Sequence, residues 1–352
     1  MIYIVGMKML FTNSLRKPAV LLLLLVWQMQ AQAQTGPTIQ PLPSTSKASL
    51  RGLSVVTDSI VWVSGSGGTV GRSVDGGKNW KWMEVKGFEK TDFRDIEAFD
   101  EKTAVVMGIA EPAHILRTED GGENWKVVYK NETPGMFLDA MDFLNDNTGM
   151  VVGDPINRKL FLAGTNDGGR TWRDLPEDSR PVADSGEAFF AASGTNIKML
   201  KESKAVLVTG GLSSHLVRGR KKTLLPLLQG KESTGANSVA VRMKNGDVKL
   251  MAVAGGDFAN DTLVLNNFFY SRNGGKTWKA PQTKPKGYRS CVAFINKGNW
   301  IACGTSGVDI SFDGCKNWQL ISPQGYHVVQ KAKKGNAVFL AGSNGRIAKL
   351  QW

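Results

Sequence analysis

The feature that most constrains this 352-residue chain is an octapeptide that occurs five times. The copies read SVDGGKNW (73–80), TEDGGENW (118–125), TNDGGRTW (165–172), SRNGGKTW (271–278) and SFDGCKNW (311–318). Their third residues are Asp75, Asp120, Asp167, Asn273 and Asp313, and their last are Trp80, Trp125, Trp172, Trp278 and Trp318. Successive third residues lie 45, 47, 106 and 40 positions apart. The long gap is two repeats wide and predicts a degenerate copy near residues 214–225. A unit of this length cannot bury its apolar face alone, so its copies must stack on one another.

Each repeat carries four short strand signals. An apolar alternating segment comes first, a second strand ends in Gly, a third runs into the octapeptide, and a fourth starts at its Trp. The Asp side chain accepts hydrogen bonds from turn amides, and Gly supplies positive φ. The Trp offers a large apolar face to the neighbouring strand or repeat. The octapeptide is therefore read as a structural staple between antiparallel strands. Seven first strands are counted, at 50–56, 93–99, 137–143, 186–192, 235–241, 288–294 and 326–332. The predicted fold is all-β, a seven-bladed β-propeller of four-stranded antiparallel blades occupying 34–352. The last repeat ends at Trp352 without a fourth strand, and TIQPLP (38–43) is expected to supply it and close the ring.

The first 33 residues read differently. Lys8, Arg16 and Lys17 precede the apolar run 19–27, followed by Ala31-Gln32-Ala33. This is the pattern of a cleaved signal peptide, and the apolar run is short for a membrane span. The expectation is a protein exported to the periplasm or secreted, with no transmembrane segment in the mature chain. Loss of three cations takes the net charge of +13 to about +10. The basic residues are scattered and carry no aromatic reading motif, which argues against nucleic acid. Three Cys (Cys291, Cys303, Cys315) exclude a disulfide framework, although Cys291 and Cys303 are placed to face each other across a hairpin. Three dispersed His give no zinc cluster, and no metal or cofactor is expected.

A propeller's innermost strands begin at one mouth of its central channel. Aligning the seven first strands places Arg51, Arg94, Glu187, Arg289 and His327 there, with Asp139 one position on. Loops between second and third strands open on the same face and add Asp154 and Asp257. Arginines interspersed with carboxylates suit an anionic or polyhydroxyl ligand, because guanidinium offers fixed bidentate donors. The same charges could equally cross-link neighbouring blades or face solvent in a water-filled channel.

The octapeptides resemble the Asp-box, or BNR repeat, of sialidases, other glycoside hydrolases and photosystem II assembly-factor propellers. The segments GDP (153–155), GEAFFAASGT (186–195) and GYRS (287–290) are similar to those of exported bacterial BNR-repeat propellers of the assembly-factor type. Members of that group are often labelled "oxidoreductase" or "glycosyl hydrolase". The resemblance implies Asp-boxes on the rim opposite the binding face, and a basic face that docks a protein client in the envelope.

Catalytic alternatives are weaker. GSGGTVG (65–71) leads into a strand rather than a helix, so it is no dinucleotide loop. A sialidase site would need Tyr288 and Arg289 together, but adjacent strand residues point apart. Glycoside hydrolysis needs only two carboxylates at a suitable separation, which Asp139, Asp154, Glu187 and Asp257 supply by type. The reading is a monomeric, non-catalytic binding propeller, with a glycoside hydrolase or propeller oxidoreductase as the alternative.

Overall fold

The computed structural model describes residues 36–201 and 204–352. The expected signal peptide lies outside them. Seven antiparallel sheets follow one another along Thr38–Gln351. Blade 1 comprises Leu50–Val55, Val61–Gly65, Thr69–Ser73 and Lys81–Glu84, and blade 2 comprises Phe93–Ala98, Ala104–Gly108, Ala113–Thr118 and Lys126–Asn131. Blade 3 runs from Leu138–Phe143 to a two-residue outer strand, Arg173–Asp174. Blade 4 comprises Ile197–Lys201, Lys204–Val208, His215–Arg218 and Lys221–Leu224. Blade 5 has long inner strands, Thr234–Lys244 and Asp247–Asp257, beside Phe268–Ser271, and its outer strand is reduced to a bridge between Tyr270 and Lys279. Blade 6 starts at Cys291–Asn296 and ends at Gln319–Ser322.

Blade 7 is built from both ends of the propeller. Val328–Lys331, Val338–Ala341 and Ile347–Gln351 are completed by Thr38–Leu42, which pairs antiparallel with Ile347–Gln351. The expected closing strand is therefore in place. The core lies between blades. Trp62 and Val70 of blade 1 pack on Phe93 and Ile96 of blade 2, and equivalent apolar clusters fill the other seams. Among the described residues, no helix is long and apolar enough to cross a membrane.

The octapeptides act as staples. In blade 2, Thr118 Oγ1 accepts the Gly122 amide at 3.0 Å and donates to Asp120 at 2.9 Å. Asp120 also accepts the amide of Asn124 at 3.0 Å and its side chain at 2.8 Å. These bonds hold Asp75 and Asp120 down at about 2, led by the amides of Asn79 and Asn124. In blade 4, where the degenerate copy was expected, Arg218 and Lys221 are joined by a tight hairpin through Gly219 and Arg220.

One first strand is displaced. The expected blade 4 strand at 186–192 contributes only Glu187–Ala188, paired with Gly210–Gly211, and the true first strand begins at Ile197. Gly210 in turn pairs with Gly235 of blade 5. Backbones approach so closely here that a Cβ on Gly211 would stand 2.2 Å from the Gly186 carbonyl oxygen.

Candidate functional site

First strands of blades 1, 2, 3 and 5 each contain a β-bulge near their start, skipping Arg51, Arg94, Asp139 and Asn237 in the pairing register. A bulge frees one residue from the ladder and re-aims its side chain. All four residues line one cavity of about 470 Å³, together with Ser290 and His327 from the starts of blades 6 and 7. Asp154, from the second strand of blade 3, joins them.

The displaced segment after Glu187 runs across this mouth. Its Phe189 amide donates to Asp154 at 2.9 Å. Arg94 donates to the Ala191 carbonyl at 3.1 Å and Arg51 to that of Ala192 at 3.3 Å. Ser193 reaches the Ser290 carbonyl at 2.8 Å, and Thr195 reaches Ser238 of blade 5 at 2.8 Å. A single strap thus touches blades 1, 2, 3, 5 and 6 and forms the floor of the cavity. No sequence signal of strand periodicity distinguishes such a strap from a first strand, because Phe189, Ala191 and Ala192 are buried as strand residues would be.

Electrostatics separate the groups. Asp139 is fully buried, and neither carboxyl oxygen has a well-aligned partner; the closest donors are the amides of Ala191 and Asp154. Burial, then the neighbouring Asp154, pushes its carboxyl well above the usual carboxylate range. Burial raises Asp154 to about 6, with the Phe189 amide opposing. His327 is held down at about 4 by burial and by Arg51. Its Nδ1 faces the Leu50 carbonyl at 2.9 Å and its Nε2 faces the Ser343 hydroxyl at 3.1 Å, which fits a neutral ring donating from Nδ1. Arg94 pairs with Asp92 at 2.7 Å. Two guanidiniums in one recess suit an anion or a carbonyl-rich segment.

Three expected mouth residues are elsewhere. Arg289 precedes Ser290, the mouth-lining residue of blade 6, by one position, so its side chain turns the other way, into the blade. It is fully buried, donating from Nε to Asp309 at 2.7 Å, and from Nη1 to Ser306 at 2.9 Å. Glu187 accepts from Thr209 at 2.6 Å and from the Asp184 amide at 2.8 Å, faces His215 Nδ1 at 3.0 Å, and pairs with Lys222. Burial alone would raise its carboxyl, but the bonds from His215, Lys222 and Thr209 outweigh it and hold it at about 2. Asp184, Glu187 and His215 come close enough for metal ligation, yet the Lys222 ammonium already sits against both carboxylates. Asp257 caps its own turn through the Ala259 amide at 3.0 Å. The register of the first strands also places Asn237 and Ser290 at the mouth, where they lie, but gives no sign of the aromatic wall of Phe190, Phe258 and Tyr288. Phe258 is 49% exposed and meets Phe190 edge-on at 5.5 Å.

The octapeptide turns join third and fourth strands, whereas the mouth lies at the opposite strand ends, so Asp-boxes and cavity occupy different faces. Cys291 and Cys303 are register partners, and both are buried free thiols, as is Cys315.

A family model for the BNR/Asp-box repeat matches residues 269–280, the octapeptide of blade 5. A solved structure of YCF48 bound to a D1 peptide superposes with a TM-score of 0.62 at 15% identity, covering 88% of this chain and 94% of that one. YCF48 from Cyanidioschyzon merolae gives 0.63 at 16% identity, covering 89% and 99%. The Neurospora crassa Pan2 WD40 domain gives 0.57 at 11%, covering 86% and 89%. The chain has no match among curated proteins. With sheets and comparisons in agreement, the chain is a seven-bladed β-propeller, and the octapeptide of its fifth blade matches the BNR/Asp-box repeat.

Proposed function

We propose that this protein is a non-catalytic docking propeller of the cell envelope, holding an acidic segment of a protein client at its channel mouth. The observation that carries the reading is the orphaned, fully buried Asp139 carboxyl facing a cavity that also presents Arg51 and Arg94. Two guanidiniums converging on one recess offer the paired donors that an incoming carboxylate requires. Leu212, Phe258 and Leu265, each about half exposed on loops of the same face, offer apolar contact beside it. The likeness to a YCF48 structure bound to a D1 peptide supports a peptide rather than a sugar.

Calorimetric titration with a short poly-aspartate peptide tests this. The double variant Arg51→Ala/Arg94→Ala should bind about tenfold to a hundredfold more weakly, the loss expected for charge-assisted hydrogen bonds. Equal affinity would overturn the reading. The two raised carboxyls, Asp139 and Asp154, favour a second reading as a hydrolase pair. Glycoside turnover abolished by Asp154→Asn would replace docking with catalysis.

A further inference from the structure

Blade 4 lacks the octapeptide, and a second opening lies where it would have packed. Elsewhere each octapeptide seals the seam to the preceding blade. In blade 2, a Cβ on Gly122 would stand 2.6 Å from Met83 Sδ of blade 1. Trp172 of blade 3 joins Val105 and Met107 of blade 2, and Trp278 of blade 5 packs on Val206 and Leu216 of blade 4. Trp318 of blade 6 meets Phe268 of blade 5 edge-on at 4.7 Å. In the place of an octapeptide, blade 4 offers blade 3 the Gly219-Arg220 hairpin.

The consequence is a groove of about 910 Å³ on the octapeptide face. Its floor is Met150, Leu162 and Leu175 of blade 3 with Leu200 and Ala205 of blade 4. Arg218, Arg272 and Lys276 stand along its edge, and none meets a carboxylate among the described residues. Among its described lining residues the one acid, Asp247, is matched by Lys249 at 3.3 Å. Among the described residues the groove therefore lacks an aromatic knob, which most other seams have, and carboxylates paired with the three rim cations.

We propose that this groove is a second docking site, distinct from the mouth. It takes an acidic segment of a partner protein that inserts an aromatic side chain where a blade 4 Asp-box Trp would sit. Charge complementarity sets the acidic character, because three unmatched cations cluster around an apolar floor. The missing group is an indole carried on a turn, so the space suits a side chain presented by a peptide.

The test is fluorescence anisotropy of the full chain with a labelled acidic peptide carrying one central tryptophan. Binding should be saturable, and should weaken at least about tenfold when that tryptophan is replaced by serine or when Arg218→Glu/Arg272→Glu is introduced. Ala205→Trp, which fills the floor, should also block it, whereas Arg51→Ala/Arg94→Ala should leave it unchanged. The Arg218→Glu/Arg272→Glu variant changes only rim side chains, so it remains decisive if Ala205→Trp fails to fold. Absence of binding, or binding lost only through the mouth variant, overturns the proposal. So does groove-dependent pelleting with phosphatidylglycerol vesicles, or groove-dependent self-association, since each assigns the groove to a different occupant.

Discussion

At the residue scale, the same side-chain type does opposite work on the two faces. Asp75, Asp120 and Asp167 sit in turns where amides and side chains donate to them, so they stay charged down to about pH 2. Their folded-state values lie below the unfolded value of about 4. The stability they contribute is therefore present above about pH 4 and is lost as pH falls towards 2. Asp120→Ala should lower the thermal midpoint by several degrees and blunt acid unfolding, while poly-aspartate affinity of the folded protein stays unchanged. Asp139 and Asp154 are shifted the other way by burial. Side-chain identity at the mouth was legible for Arg51, Arg94, Asp139 and His327, because polar residues open otherwise apolar strands, and for Asp154 because it lies towards the end of the second strand, on the same face. Arg289 was not legible, since a one-residue difference in where the strand's register begins decides whether it faces the cavity or Asp309.

At the scale of elements, two segments outside the regular blade pattern determine how the ring is closed and how the mouth is floored. Thr38–Leu42 covers the edge of Ile347–Gln351. It was readable because the last repeat was short by one strand and an unassigned strand-like segment remained at the other end. Deleting residues 36–43 leaves an unpaired edge, and should lower the thermal midpoint and produce concentration-dependent association by light scattering. A deletion variant as stable and monomeric as the parent would show the closure to be dispensable. The strap after Glu187 was misread as a strand. Its alternating burial imitates the strand period, but the burial comes from crossing the channel, and its carbonyls go to Arg51 and Arg94 instead of a ladder. Such long-range partners leave no mark in local sequence.

For the whole molecule, the repeat made the architecture legible. Five staples at near-constant spacing leave few ways to bury seven apolar faces, and a closed ring is the one found. The groove at blade 4 was half visible as a gap of two periods in the octapeptide series, though only the fold shows that the gap uncovers blade 3.

If the mouth docks an anion as proposed, Asp154 offsets the donors there as it ionises. Poly-aspartate titration at about pH 5 and about pH 8 tests it, because the peptide is ionised at both while Asp154 titrates near 6. Raising the pH adds a negative charge to the recess, so wild-type affinity should fall, and Asp154→Asn should abolish most of that fall. Because its folded value is raised, Asp154 also favours the fold below about pH 4, and that contribution is lost as pH rises through 6. The variant should accordingly be stabilised at the higher pH alone. Affinity that ignores both pH and the Asp154→Asn change would contradict the account.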